Sequence, residues 1–389
     1  MLVARTKFSL AVACLASLAS LAVGGCAAPT EDSTDSTSEE LSKGGYENPL
    51  LAEGPDQWAY CGAPNVRRVG KEYVLICASA GIGAASDAYH IRTSSDLVHW
   101  SAPHTVFLPG SHPAWAEAPG TGRYWCPEIY RVDGKWVILF AATKKAGGGG
   151  SMAIGQATSD SLDGPWHSSS EPLVAQGDHS IEGPGDGNSG RIDPTLLFDE
   201  ASGEVHRGAA GELTMYYVYQ PRNVRVVHLT SNGSGHLSVV PSTDHPLMLT
   251  SGEHFTTTLP WEKTVIEGVE AQIRSNGTVH LLYSGASAWD ETYATGDAQA
   301  EHPDGPFRKR DQPILSTAAG GALVGPGHGS QWVIGPNGKP YLPYRVQRRG
   351  HTGHGGEQLL AIEPISFDEF GWPRVVGGDH PHEQVGGKP

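Results

Sequence analysis

Apolar residues in this chain fall in short runs bounded by polar turn residues, and beyond the N-terminal leader no stretch repeats them with helical spacing. The runs pair around turn dipeptides that accept positive φ: NVRRV and EYVLICA flank Gly70-Lys71, CPEIYRV and KWVILFAA flank Asp133-Gly134, and VEAQIRS and TVHLLYS flank Asn276-Gly277. A further pair flanks Asn337-Gly338, and Arg191 opens another unit, IDPTLLFDEASGE followed by LTMYYVYQ and RVVHLTSNG. The same unit therefore recurs five times: an inner strand, a glycine-bearing turn or connection, a middle strand and an outer strand. At about 60 to 75 residues per unit, the spacing exceeds that of the commonest propeller repeats, and the extra length falls in loops. The pattern predicts an all-β chain forming one five-bladed β-propeller over residues 47–385. A pair of β-sandwiches would leave the five similar units unexplained.

In a propeller the starts of the inner strands converge at one end of a central channel, so the residues there outline a candidate site. In chain order they are Ala63-Pro64, Cys126-Pro127-Glu128, Asp193-Pro194, Glu267-Gly268 and Gly327-His328. Glu267 opens a strand that a tight hairpin holds rigid, which is a way to aim one carboxyl at a point. Glu270, three residues on, is expected on the opposite face of an ideal strand, turned outward or toward a neighbouring loop. Taken alone, Asp193 would be a turn or cap residue and His328 a hydrogen-bonded structural histidine; the repeat register is what raises both to site candidates. Trp58, Trp115, Trp125, Trp261 and Trp289 lie in or beside loops next to inner strands, where an indole can stack on the apolar face of a sugar ring or simply pack. Trp100 and Trp166 close outer strands and are expected to pack, and the histidines of HTGHGG at 351–356 are expected in a solvated loop.

Charge narrows the partners. A formal net charge of -15 argues against a nucleic-acid partner, since binding phosphates requires a basic face, and a neutral substrate suits the chain better. Gly 51 and Pro 28 against only 18% charged residues fit many tight turns. Residues 1–25 have the charged start and apolar run of an export signal, too short and wrongly flanked for a membrane span. The VGGC at its end resembles a bacterial lipobox, which predicts lipidation of Cys26; an ordinary signal peptide cut near Ala27-Ala28 is the alternative. Residues 26–46 are rich in Ser, Thr, Asp and Glu and read as a disordered tether. The expectation is an exported protein, held at the cell envelope by the lipid alone or secreted. After processing, Cys61, Cys77 and Cys126 remain, so at most one internal disulfide forms, with Cys61 and Cys77 placed to pair. The absence of a C-x-x-C pair argues against a structural zinc site.

In this order and at this spacing, SSDLVHW at 94–100, WCPEIYRVDGKW at 125–136, IGQATSDSLDGPW at 154–166 and IDPTLLFD at 192–199 resemble glycoside hydrolase family 43. IEGVEAQIRSNGTVHLLYSG at 266–285, GDAQAEHPDGPF at 296–307 and GPGHGSQWV at 325–333 extend that resemblance over almost the whole mature chain. The family comprises arabinofuranosidases, xylosidases and arabinanases. The resemblance implies inverting hydrolysis of arabinose- or xylose-containing polysaccharides or oligosaccharides, with no cofactor needed for the chemistry. It implies that Glu267 is the general acid and that Asp193 holds that acid and helps keep its pKa raised. His328 matches a histidine that in the family helps hold a hydrated calcium or similar ion in the channel. One position departs: the family's base aspartate is expected before the first Pro, and Ala63 stands there. Removing a general base costs about two to four orders of magnitude. Asp56 and Glu128 are the candidates to replace it. Two function classes follow: a surface-anchored, exo-acting glycosidase, or a homologue that binds glycans without cleaving them.

Overall fold

Each of the five units folds into its own antiparallel sheet, and the five sheets form the blades of a β-propeller. In the computed structural model, residues 44–51, 60–78, 87–108, 110–145, 151–175, 190–220 and 223–389 are described. Among them no helix occurs. The innermost strands of blades I to V are Gly62–Val69, Tyr124–Val132, Arg191–Leu196, Ile266–Ile273 and Leu323–Gly327. The leader, Cys26 and the tether up to residue 43 lie outside the described residues.

Both faces of every blade are covered, which is why the middle strands read as nearly continuous apolar runs. The period of two then decides which neighbour each side chain meets. Along the middle strand of blade I, Val74 and Ile76 face blade II beside Ile129 and Ile138, while Tyr73, Leu75 and Cys77 face blade V beside Tyr341 and Ile362. In blade II, Val137 and Leu139 turn the other way, onto Leu213 and Val227 of blade III. Tyr216 and Val226 meet Leu281 and Tyr283 across the next seam, and Leu282 meets Leu342 and Val346 across the last. Trp100 and Trp166 pack at the edges of these clusters, as their positions in the outer strands imply.

The ends of the described chain meet on blade V. Tyr46 pairs with Val385, Leu50 bridges to Leu360, and the Asn48 amide donates to the Ile362 carbonyl at 2.9 Å. A disulfide joins Cys61 to Cys77 across the first two strands of blade I, and Cys126 is a free, buried thiol.

Near its start each inner strand breaks register. The partner strand advances fewer residues between Gly62 and Asn65, Trp125 and Glu128, Ile192 and Thr195, and Glu267 and Glu270, so each segment carries a β-bulge. The bulged residues Ala63, Cys126, Asp193 and Gly268, with His328 in blade V, all have left-handed backbones, at φ 47°, 51°, 53°, 61° and 47°. Because the extra residue shifts the phase, Glu267 pairs with Ser284 and Glu270 with Leu282, two positions apart on the partner. The two glutamates therefore share a face. The outward placement expected of Glu270 from ideal alternation is incorrect: it is buried, at 4% exposure.

Two residues past each of these left-handed positions, Asn65, Glu128, Thr195, Glu270 and Ser330 form a buried polar ring across the channel. Arg67 lies at its centre, 2.7 Å from Glu128 and 3.7 Å from Glu270. Tyr130 donates to Glu128 at 2.6 Å and Asn65 donates to it at 2.7 Å, while the Thr195 hydroxyl reaches Glu270 at 3.4 Å. Burial, and then the charge of Glu128, push the Glu270 carboxyl well above its ordinary range, so it keeps its proton and Arg67 faces a single charge. Removing the cation would leave Glu128 buried without a counter-charge. Arg67→Met should therefore destabilise the protein by about 3–5 kcal/mol, whereas Glu270→Gln, which imitates the protonated acid, should cost about 1 kcal/mol or less. Chemical denaturation measures both, and equal losses in the two variants would contradict this division of charge.

Candidate active site

Above the polar ring, the bulged residues open into a cleft of about 340 Å³ at the channel mouth. Ala63, Cys126, Asp193 and His328 line it at the left-handed positions of four blades, and Glu267 enters from the fourth blade, one residue before Gly268. Gly268 is required by more than its φ of 61°, because a Cβ there would come within 3.1 Å of the His328 ring. Gly327 likewise lets the chain pass the Tyr293 ring, which a Cβ would overlap at 2.2 Å. The two glycines bring His328 and Tyr293 against the glutamate strand.

Glu267 is half-buried on the cleft floor, and the Tyr293 hydroxyl donates to its Oε1 at 2.9 Å. Burial raises its pKa first and the neighbouring Asp193 second; His328, the Tyr293 hydrogen bond and Arg345 oppose them, and the net shift is upward. Asp193 is buried at 3% exposure, and its Oδ2 accepts the Gly268 N–H at 2.6 Å, which fixes the backbone beside Glu267. Burial lifts the Asp193 pKa to about 6 despite the stabilising Cys126 thiol and Gly268 N–H. His328 Nε2 lies 3.6 Å from Asp193 Oδ1, and its main-chain N–H donates to Ser284 Oγ at 2.7 Å. Burial lowers the His328 pKa to about 4, so the imidazole is neutral at neutral pH and this contact is not an ion pair there.

Among the described residues that line the cleft, the carboxylates are Asp193 and Glu267. The wall of blade I consists of Tyr60, Gly62, Ala63 and Ala78, and Ala63 offers no proton acceptor. Glu128, considered from sequence as a substitute base, does not reach the cleft: it sits one layer down, committed to Arg67, Tyr130 and Asn65. Asp56 and Trp58 lie outside the described residues. Trp125 and Trp289 do line the cleft. Trp115 does not, because its ring stacks on Phe140 and fills the space over Gly155. Trp261 is likewise a packing residue, stacked on Tyr283.

The sequence reading did not place three residues at the site: Arg345 and His354, which line the cleft, and Tyr293, which holds Glu267 from behind the lining. Arg345 is buried in the middle strand of blade V, where its guanidinium covers the Tyr293 ring at 4.9 Å and donates to the Ala288 carbonyl. A charged residue interrupting the apolar run YLPY of that strand was the available signal. Tyr293 itself gave none. His354, expected in a solvated loop, instead stacks on Trp289 with ring centroids 4.2 Å apart and borders the cleft.

For the hydrated calcium expected at His328, the nearby side chains offer one imidazole nitrogen and one carboxylate, with the Cys126 thiol beside them, so most of the oxygens calcium prefers would be those of water.

The site is thus a pair of neighbouring carboxyls at the channel mouth of a five-bladed propeller, bordered by indole rings. The chain belongs to glycosyl hydrolases family 43, whose family model matches residues 60–373. A candidate β-xylosidase of Escherichia coli (strain K12) is 24% identical over 87% of this chain, which spans only 58% of that protein. An extracellular endo-alpha-(1->5)-L-arabinanase of Thermotoga petrophila is 19% identical, with 85% of this chain and 75% of the relative covered. Among solved structures, a thermostable family-43 glycoside hydrolase superposes with TM-score 0.65 at 21% identity, covering 88% of this chain and 99% of its own. A xylan beta-1,4-xylosidase from Bacillus halodurans C-125 superposes with TM-score 0.64 at 20% identity, covering 88% and 59%.

Asp193 makes the site's cost measurable. Its folded pKa of about 6 lies above the ordinary 3.8, so the native state binds this proton more tightly than the unfolded chain does. The resulting stabilisation is complete below about pH 4 and is lost as pH rises through about 6, a difference of about 3 kcal/mol. Asp193→Asn should therefore be more stable than wild type by up to about 3 kcal/mol near pH 7.5 and equal to it near pH 4. Thermal unfolding across this range checks it; a pH-independent difference would contradict the assignment.

Proposed function

We propose that this protein is an inverting glycoside hydrolase of xylan- or arabinan-type chains in which the proton-donating half of the machinery is complete and the water-activating half is weakened. The observation that carries the reading is Glu267: a carboxyl at the cleft floor, protonated to unusually high pH by burial and by Asp193, and held in one orientation by Tyr293. Such a group can protonate a departing glycosidic oxygen as the bond breaks and charge builds on the sugar ring. Asp193 keeps the Gly268 backbone in place and makes ionisation of its neighbour costly. Arg345 and Tyr293 brace the acid from the far side, and Trp125 and Trp289 offer flat apolar faces to the sugar rings.

Inversion also requires a base on the opposite face of the sugar, and blade I presents Ala63 there. Attacking water in this cleft is left without a carboxylate from that blade, so turnover is slow. This same observation favours a second reading, a glycan-binding protein that has given up cleavage. The Cys61–Cys77 disulfide supports export to an oxidising compartment, and the lipobox-like VGGC supports anchoring through Cys26.

Assays with aryl xylosides and aryl arabinofuranosides test the reading. Glu267→Gln should lower kcat/KM by about 10²-fold or more on substrates with poor leaving groups and far less on dinitrophenyl glycosides, whose departure needs no acid. Ala63→Asp should raise turnover by about 10²- to 10⁴-fold, with product of inverted anomeric configuration seen by proton NMR. Binding of xylo- or arabino-oligosaccharides without cleavage in both wild type and Ala63→Asp would favour the binding protein; equal activity of Glu267→Gln on every leaving group would remove Glu267 from the acid's role. Trp289→Ala should weaken oligosaccharide binding by about 1 kcal/mol or more through the apolar contact it removes, measured calorimetrically.

A further inference from the structure

The cleft wall that lacks a base is built from very small residues and stands between two guanidiniums. Gly62, Ala63 and Ala78 face the cleft from blade I, with the Tyr60 ring beside Gly62. Blade I packs against blade II on one side and blade V on the other, and each neighbour brings an arginine to the lining, Arg123 and Arg345. The Arg123 guanidinium lies over the Trp125 ring at 5.3 Å, just before the inner strand of blade II. Burial raises the Tyr60 pKa and the charge of Arg345 opposes it, so the field of that guanidinium reaches the blade I wall. Against these two permanent cations the described lining sets Asp193 and Glu267, and burial raises both carboxyls toward their neutral forms. The chain carries a formal net charge of -15, yet this wall sits in a positive field.

We propose that the blade I wall is a carboxylate-binding site flanked by Arg123 and Arg345, and that the cleft takes a uronate-bearing saccharide whose own carboxylate stands in the place left by Ala63. The chemistry of this step rests on the hydrolase reading; the binding site does not. A guanidinium pairs with a carboxylate through charge-assisted hydrogen bonds, and the small residues of the wall leave room for the group between the two arginines. Docked there, the substrate's carboxylate supplies the missing base. As the glycosidic bond breaks, the water oxygen bonds to the anomeric carbon and gives its proton to that carboxylate, while the departing oxygen takes the proton of Glu267. The step ends with the substrate carboxyl protonated and Glu267 ionised, and exchange with solvent restores both. The same wall fits a free carboxylate such as formate, so the source of the carboxylate has to be separated by experiment.

Calorimetry on the full-length protein compares an unbranched xylo-oligosaccharide, the same backbone bearing one glucuronosyl branch, and that branched compound with its carboxyl reduced to the alcohol. The branched acid should bind at least about tenfold more tightly than its reduced form, and the gap should close as salt is raised. Arg123→Gln should remove most of this preference while keeping the affinity for the unbranched chain, which also shows that the variant has folded. Ala63→Asp, which fixes a carboxylate in the same place, should abolish the preference as well. Turnover separates the two sources. The branched acid should be cleaved faster than its reduced form by wild type but not by Ala63→Asp. Molar formate, compared with equimolar chloride, reports whether a free carboxylate speeds cleavage of a neutral aryl xyloside. Acceleration by formate without any preference for the branched acid would assign the wall to free carboxylates and overturn the proposed substrate class. Equal affinity of wild type for the acid and its reduced form, or a preference untouched in both variants, would overturn the proposal and leave cleavage of neutral chains to decide the hydrolase reading. A preference for the acid with no cleavage of any substrate would keep the site and remove the hydrolase reading instead.

Discussion

One backbone constraint organises this molecule: a left-handed residue near the start of the inner strand in blades I to IV, matched in blade V by His328 just past Leu323–Gly327. At Ala63, Cys126, Asp193, Gly268 and His328 the chain adopts a conformation that costs an L residue about 1–2 kcal/mol. Five different residue types share it, so it follows from the architecture rather than from local preference. It also has a function. In blades I to III the bulge delivers one side chain to the channel mouth and shifts the alternation that follows, and in blade IV the same shift puts Glu267 and Glu270 on one face.

The two rings divide the work. In the lower one, Asn65, Glu128, Thr195, Glu270 and Ser330 close around Arg67, and nearly every donor has an acceptor. A network satisfied in this way rigidifies the channel and can hold a buried cation. The upper ring is left incomplete. Asp193 Oδ1 is unpartnered, His328 is neutral, and Glu267 is protonated at pH values where a surface glutamate is ionised. Groups held in unfavourable states inside an otherwise satisfied scaffold are what acid catalysis or metal binding requires. Ala63 is the exception: it occupies a costly backbone position with a side chain that can do nothing there.

Much of this was legible in the sequence because it depends on the period of two. Alternation, turn dipeptides and the fivefold recurrence specified the blades, and the residues at the inner-strand positions, three of them before prolines, specified the upper ring. Failures came where the bulge interrupts the period. Glu270 was assigned to the wrong face because one extra residue cancels one step of alternation, and Glu128 was considered for the cleft although it belongs to the ring beneath. Trp115 and Trp261 show a different limit, since a loop indole next to an inner strand can fill a gap over Gly155 or Tyr283 as readily as line a cleft. Arg345, Tyr293 and His354 reach the site from middle strands and loops of other blades, contacts that only tertiary packing creates.

The central claim is that the fold keeps the Glu267 carboxyl protonated and at the cleft, through burial first and the charge of Asp193 second. It is tested most directly by titrating that one carboxyl, using isotope-labelled glutamate and carbon NMR, with the Glu267 signal assigned by its loss in Glu267→Gln. The account predicts a midpoint clearly above the ordinary glutamate range that moves part of the way back in Asp193→Asn, the remainder being due to burial. A midpoint in the ordinary range, or one indifferent to Asp193, would contradict it.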